Sequence, residues 1–523
     1  MCGVIGVYSL KDKTRNVYPL IVKGLLDLQH RGQLSAGVTS YNPERKRILQ
    51  THKKNGKVHD VFEVSHRFKS KKLLEDYSGH AAIGHTRYAT SGDAGDQLAQ
   101  PFERPHGRKS KWFSLAFNGN LANVDKLKAG LEDVGYNMTY DSDTEVIMHF
   151  LSREVQSHKP GEELNFVDIF KNLLKDFDGS WNIAFLNADG KMVAVRDPLG
   201  LKPMCYGVTK DGILVFASES VVLSNLQIEA INLKPGEMII ADGNDFTVKS
   251  YIDKEVDLQY STNSLYYSGP SKLIETHYKK STSYCFFEWI YFAHLASVMD
   301  GESVYRVREN IGQELAKEET INYKNNDWIV VPVPDSSYVA GAKYAQVTGI
   351  PFVQGLLKNH SVGRTFIDNT NRAHNIQLKF THLKEVIQGK KVILIDDSVV
   401  RGTTMRALVK NLKEWSGVKE VHLRIGCPPI TSPCFYGIDL PTIKELYAGA
   451  NTPNADDFNA DSLYYLSLSG LLTAVNKNKD DLCTACLTSA YPTHEGTNRY
   501  LKQKFNDAQM INGTFEGDTI SRM

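Results

Sequence analysis

The chain has 523 residues, 41% hydrophobic and 23% charged, an ordinary globular balance with room for two large domains or three or four small ones. Its 61 Lys and Arg stand against 60 Asp and Glu, a balance that excludes nucleic acid or a membrane surface as an electrostatically recruited main partner. No run of about eighteen apolar residues suits a transmembrane helix, and the N-terminus MCGVIGVYSL lacks the basic flank and long apolar stretch of a secretory signal.

From residue 1 to about 260 the chain is dominated by short alternating or apolar runs: CGVIGVYSL, AAIGHTRYAT, FSLAFNGNL, SWNIAFLNA, KMVAVRDP, GILVFASES and EMIIADG. Gly, Asp and Asn turns separate them, so they read as strands. Two stretches, Tyr18 to Gln29 and Ser142 to Gln156, carry apolar residues at helical spacing. Cys2 follows the initiator Met, and a small second residue allows Met removal. The freed α-amine, which titrates at about 7.7–8.0 when unperturbed, would then serve as general base for its own thiol. Taken alone, such a cysteine is more often an idle or buried thiol.

Residues 262 to 282 are polar and weakly patterned, and read as a connection. Beyond about 303 strands and helices alternate: a helix over Val304 to Lys317, the strand WIVVPVP, a helix over Ser337 to Val347, and a short strand at Pro351 to Gln354. After a polar loop come the strand KKVILID, a helix over Thr403 to Ser416, and the strand EVHLRIG. That alternation predicts a parallel sheet with helices on both faces. In KVILIDDSVVRGTTM, Asp396 and Asp397 stand at the C-terminal end of a buried strand, where open parallel sheets bind ligands. The loop behind them opens a helix. Its backbone N–H groups and the Ser398, Thr403 and Thr404 hydroxyls suit a phosphate, and Gly402 permits close backbone approach. The carboxylates suit ribose hydroxyls and Mg²⁺. The bland alternative is a strand–helix turn with two solvated aspartates.

The tail from about 471 is polar and carries Cys483 and Cys486 as C-T-A-C. With seven cysteines in so long a chain, a disulfide framework is not expected; free thiols, catalytic groups or metal ligands in a reducing cytoplasm are. Together with Cys285 and Cys434 the pair could bind a 4Fe–4S cluster or Zn²⁺, and spacing does not choose between them. Cys205 and Cys427 receive no role.

The motifs, taken together, resemble one family. QHRGQLSAG, GHTRYATSG, FNGN, DSDTE and RDPLGLKP occur in the order found in class II glutamine amidotransferase domains. KVILIDDSVVRGTTM resembles the phosphoribosyl pyrophosphate (PRPP) signature of type I phosphoribosyltransferases. VPVPDSS, KNHSVGRTFI and CPPITSPCFYGID resemble amidophosphoribosyltransferases. The resemblance implies an α+β N-terminal-nucleophile glutaminase domain of stacked antiparallel sheets with helices, residues 2–260. An α/β type I phosphoribosyltransferase domain would follow at 283–470, then a tail at 471–523. It implies that Cys2 attacks the glutamine amide while the Asn118 side chain and Gly119 N–H bind the oxyanion. Arg87 would bind the glutamine α-carboxylate and Asp143 its α-ammonium. PRPP would fall to Asp396, Asp397, Ser398, Arg401, Gly402, Thr403 and Thr404, with Lys358 and Arg364 on a covering loop. Ser336 would join the two aspartates around Mg²⁺. The four cysteines match the iron–sulfur branch.

The implied reaction turns PRPP, glutamine and water into 5-phosphoribosylamine, glutamate and pyrophosphate. It implies a cytoplasmic homotetramer or homodimer with purine nucleotides as feedback inhibitors. The chain departs from the family pattern at His360 and Ser361 (usually Arg and Tyr), at His294 in YFAHLAS (usually YFARPDS), at Gln377, and at Phe117 (usually His). Two rivals remain: a divergent paralog aminating another phosphorylated acceptor, and a PRPP- or nucleotide-binding regulator without turnover.

Overall fold

The computed structural model describes residues 2–88, 95–140, 142–159, 162–252, 262–267, 273–278, 282–323, 327–359, 379–440 and 442–516. Two antiparallel sheets stack in the N-terminal half. The first runs Ile231–Asn232, Cys205–Val208, Ile213–Ala217, Gly3–Ser9, Ala81–Arg87, Ser35–Tyr41, Leu49–Asn55. The second runs Asp245–Ser250, Glu237–Asp242, Met192–Val195, Gly179–Asn187, Phe113–Leu121, Phe102–Arg104. Between them Val4, Tyr8, Ile83 and Phe216 from one sheet meet Ala116, Ala184, Leu186 and Ile239 from the other in a single buried cluster. Helices Tyr18–Asp27 and Ser220–Asn225 cover the outer face of the first sheet. Val124–Asp133, Asp143–Ser157 and Phe166–Leu173 cover that of the second. Central strands such as Gly3–Ser9 are buried on both faces, which is why they read as continuous apolar runs.

The helix Asp143–Ser157 starts where its sequence dictates. Ser142 Oγ accepts the Glu145 N–H, and the buried Glu145 carboxylate accepts the N–H groups of Thr139 and Tyr140 at 2.8 and 2.6 Å. This double cap fixes Asp143 at the first turn.

The C-terminal half holds a parallel sheet in the order Trp328–Pro332, Lys391–Asp396, Glu420–Ile425, Ser462–Tyr465. Val392, Ile393, Leu394 and Ile395 are fully buried in its interior. Residues from helices Val304–Lys317, Tyr338–Thr348, Thr403–Glu414 and Leu468–Val475 complete this core. Val304, Val307, Ile311 and Leu315, at helical spacing, form the buried stripe of the first of these.

Three expectations change. The connection at 262–282 contains two antiparallel strands, Thr262–Tyr267 and Leu273–Tyr278; their Leu, Ile, Thr and Tyr favour extended backbone, and the surrounding polar residues masked it. The strand at 351–354 shrinks to one parallel bridge between Phe352 and Val330, because Pro351 has no N–H to extend the ladder. The polar tail contains the helix His494–Glu516, which docks onto the N-terminal half through the Glu495 N–H on Asp178 Oδ2 at 3.2 Å. Among the described residues no helix is long and apolar enough to cross a membrane.

Candidate active sites

Cys2 precedes the fully buried strand Gly3–Ser9, whose neighbour Ala81–Arg87 leads to Arg87 and Tyr88. Its N–H donates to Asn118 Oδ1 at 3.2 Å, and its thiol lies 4.0 Å from the Tyr88 carbonyl. With Oδ1 so engaged, Asn118 Nδ2 is a buried donor without a protein acceptor among the described residues. That is what an oxyanion subsite requires: a desolvated donor held in place beside the nucleophile. Gly119 follows on the same strand, and a Cβ there would lie 2.0 Å from the Ser180 carbonyl, so only glycine fits the closely paired backbone.

Arg87 and Asp143 both interact electrostatically with Cys2. Burial lowers the Arg87 guanidinium from its usual value, with Cys2 and Asp143 opposing the shift. Burial, then the nearby Cys2, raises the Asp143 carboxyl to about 7, against the N–H groups of Thr144 and Leu121 and the charge of Arg87. Arg87 and Asp143 thus lie within electrostatic reach of the thiol and carry opposite charges once Asp143 ionises, as an amino acid with free α-carboxylate and α-ammonium demands. Asp141 lies outside the described residues.

Arg31, inside QHRGQLSAG, carries no expectation from the sequence. Its fully buried guanidinium donates to the Cys2 carbonyl at 2.9 Å, to Glu219 at 2.5 Å and to both Glu288 oxygens at 3.0 and 2.9 Å. Glu219 also binds His30 Nε2 at 2.8 Å, the His294 N–H at 2.8 Å and Ser297 Oγ at 2.7 Å. Glu288 and His294 belong to the segment entering the C-terminal half. One buried ion network therefore ties the Cys2 backbone to that half. No sequence pattern announces it, because its partners lie 188 and 257 residues from Arg31.

At the second site Asp396 ends the central parallel strand and Asp397 opens the loop. Ser337 Oγ donates to Asp396 Oδ1 at 3.2 Å, the Asp397 N–H donates to the same oxygen at 2.9 Å, and Ser398 Oγ donates to Asp397 at 2.7 Å. Ser336 also bonds the Asp397 carboxylate, so the neighbouring serine anticipated from sequence is joined by Ser337, which was not. Burial raises both carboxyls, and the Asp397 charge raises Asp396 further. Two desolvated adjacent carboxyls form a donor set that a hard divalent cation would stabilise as anions.

Gly402, at φ +74°, caps the helix Thr403–Glu414 and leaves Thr403 exposed and Thr404 partly exposed at its N-terminus. Arg401 pairs with Asp439 at 3.7 Å and Glu445 at 3.3 Å, and Lys358 Nζ bonds Asp335 at 2.6 Å. Arg364, His360, Ser361 and Gln377 lie outside the described residues.

The four cysteines converge from three segments. Cys285 and Cys483 are register partners in a short parallel pair, Cys434 Sγ accepts the Tyr436 N–H at 3.3 Å, and the Cys486 carbonyl accepts from Thr431 and Ser432. All are free thiols. Burial raises Cys486 well above its usual value, and Cys434, Cys483, Cys285 and Cys427 add to the shift. Their chemistry suits a thiolate-bound metal, yet among the described residues no three His, Cys, Asp or Glu side chains stand at metal-ligand spacing.

A model of the glutamine amidotransferase domain matches residues 85–225, and one of the phosphoribosyl transferase domain matches residues 302–427. An amidophosphoribosyltransferase of Methanothermobacter thermautotrophicus is 38% identical over 501 residues, covering 94% of each chain. That of Bacillus subtilis is 35% identical with the same coverage. The solved glutamine PRPP amidotransferase of B. subtilis, complexed with ADP and GMP, superposes with a TM-score of 0.76 at 33% identity, over 94% of this chain and 97% of that one. Similarity extends over both halves and both sites at identities well above what a shared fold alone produces, and the chain belongs to the amidophosphoribosyltransferase family.

Proposed function

We propose the following division of labour for glutamine-dependent amination of PRPP, the family's step in purine nucleotide synthesis. Removal of Met1 frees the Cys2 α-amine, which takes the thiol proton. The thiolate attacks the glutamine side-chain amide, Asn118 Nδ2 and Gly119 N–H hold the oxyanion, and Arg87 and Asp143 bind the α-carboxylate and α-ammonium. Ammonia leaves, water releases glutamate from Cys2, and the ammonia passes within the protein to the second site. There it attacks the anomeric carbon of PRPP and pyrophosphate departs. Asp396, Asp397 and Ser336 hold the ribose hydroxyls and Mg²⁺, which when bound supplies charge neutralisation for the leaving pyrophosphate. Ser398, Arg401, Gly402, Thr403 and Thr404 cradle phosphate, Lys358 adds positive charge from the end of the strand Leu356–Lys358, and Arg364 adds more.

The observation that carries this reading is Asn118: its Oδ1 is fixed by the Cys2 N–H while its buried Nδ2 has no protein acceptor among the described residues. Cys2→Ala should abolish glutamine-dependent phosphoribosylamine synthesis and retain ammonia-dependent synthesis. Equal loss of both in folded protein rejects two separate sites.

Cys285, Cys434, Cys483 and Cys486 are proposed to hold a 4Fe–4S cluster of structural role. The register pairing of Cys285 with Cys483 and the charge effects of Cys434, Cys483 and Cys285 on Cys486 support this. Purine-nucleotide feedback is supported by the ADP and GMP bound to the B. subtilis relative. A homotetramer or homodimer in the cytoplasm is the assembly the family resemblance implies.

A further inference from the structure

The second sheet loses a strand just before it reaches Asn118. Phe102–Arg104 pairs only with Phe113–Leu115, whereas Gly179–Asn187 continues opposite Phe113 through Leu121. In an antiparallel strand the N–H and C=O of one residue point to the same side, and the side alternates along the chain. At Phe117 both groups are taken by side chains instead of a neighbouring strand. The N–H donates to Gln100 Oε1 at 2.7 Å, and the carbonyl accepts from His85 Nε2–H at 3.0 Å. His85 is fully buried and Gln100 is 5% exposed.

Each side chain also reaches a second part of the site. Gln100 Nε2 donates to Thr144 Oγ1 at 3.0 Å, one residue beyond Asp143. His85 lies two residues before Arg87 on the strand Ala81–Arg87. Gln100 is itself pinned: Lys53 Nζ donates to the adjacent Ala99 carbonyl at 2.6 Å, and a Cβ at Gly37 would come within 2.3 Å of the Gln100 carbonyl. The last contact requires a glycine at position 37.

We propose that Gln100 and His85 are positioning residues for the glutaminase reaction. They substitute for the missing strand, grip the backbone on both sides of Phe117, and set Asn118 and Gly119 at the spacing from Cys2, Arg87 and Asp143 that the oxyanion requires. The Phe117 carbonyl belongs to the peptide that joins Phe117 to Asn118, so the His85 bond orients the residue whose Nδ2 is the donor. Because a carbonyl faces Nε2, the ring carries its proton there. Burial, the first cause, lowers His85 to about 3, so it stays a neutral donor through the working range. Gln100 registers the oxyanion strand against the glutamine-binding helix with a single amide, its oxygen on one element and its nitrogen on the other. The inference rests on reading Asn118 as the oxyanion donor.

Four full-length variants test it: His85→Leu, His85→Gln, Gln100→Leu and, as reference, Asn118→Ala. Glutaminase kcat and glutamine KM are measured with PRPP present, and ammonia-dependent synthesis in the same preparations reports folding. His85→Leu and Gln100→Leu should lower glutaminase kcat about tenfold to a hundredfold, below the loss from deleting an oxyanion donor outright, since the donor is displaced but present. Glutamine KM should stay within about twofold and ammonia-dependent synthesis should be unchanged. His85→Gln, whose amide Nε2–H occupies the imidazole donor position, should recover most of the loss. The proposal is overturned if the two Leu variants keep their kcat while Asn118→Ala loses it, if the ammonia-dependent rate falls in step, or if Gln rescues no better than Leu at position 85. Full glutaminase activity in Asn118→Ala would instead overturn the oxyanion reading itself, and the clamp with it.

Discussion

Arg31→Met removes the one guanidinium that binds Glu219, Glu288 and the Cys2 carbonyl. The side chains of Arg31 and Glu219 are fully buried and that of Glu288 is 2% exposed, so water cannot replace the lost partner. Breaking a buried ion pair by deleting one member costs about 3–5 kcal/mol, whereas replacing arginine by a chain of similar shape at a site of simple packing costs under about 1.5 kcal/mol. The two magnitudes separate the network from mere filling. Glu288→Gln in the Arg31→Met background should return about 1–2 kcal/mol, since a neutral amide is cheaper to leave buried than a carboxylate. The pH dependence has a definite sign. Burial alone would raise the Glu219 carboxyl, but His30 and Arg31 outweigh it and hold it well below its usual 4.5. A depressed carboxyl stabilises the fold above the unfolded value and loses that contribution as pH falls through the folded one. The stability gap between wild type and Arg31→Met should therefore be full at pH 6–7 and narrow below about 4.5. Urea unfolding followed by tryptophan fluorescence at several pH values measures it. A gap under 1.5 kcal/mol at pH 7, or one independent of pH, refutes the account.

Asp396→Asn or Asp397→Asn should impair PRPP use while sparing basal glutaminase, because neither touches Cys2; unchanged PRPP kinetics would reject the site. The Asp143 carboxyl, raised to about 7, must ionise to bind an ammonium, so kcat/KM for glutamine should climb with pH through about 7. Asp143→Asn should flatten that acidic limb as well as weaken binding, and a limb that survives the substitution points to another group. Protein purified without oxygen should contain iron and acid-labile sulfide, with Cys483→Ser losing both and unfolding at lower temperature; one zinc per chain without sulfide would indicate a tetrahedral thiolate site. His360→Arg with Ser361→Tyr should lower the PRPP KM, since arginine offers pyrophosphate a fixed fork of donors that an imidazole lacks. No gain in binding would favour a different phosphorylated acceptor.

Much of this protein was legible in one dimension because its chemistry is carried by short contiguous segments. A buried strand ending in Asp396 and Asp397, then a small-residue loop opening a helix, reads as a phosphate site from local order alone. The alternation of strands and helices beyond residue 303 likewise yields the parallel sheet, since both its faces are buried and its strands are continuously apolar. Cys2, Asn118 and Asp143 lie far apart along the chain and could be joined only through resemblance; folding brings Asn118 onto the Cys2 N–H across 116 residues. What the tertiary structure alone decided is the support beneath those groups. Arg31 became the anchor of two carboxylates, Ser337 joined the aspartate pair, and Gln100 and His85 took the place of a strand. A buried polar side chain leaves no periodic trace in sequence. Its role is set by which unpaired backbone group or charge the fold happens to bring against it, and that is a property of long-range packing.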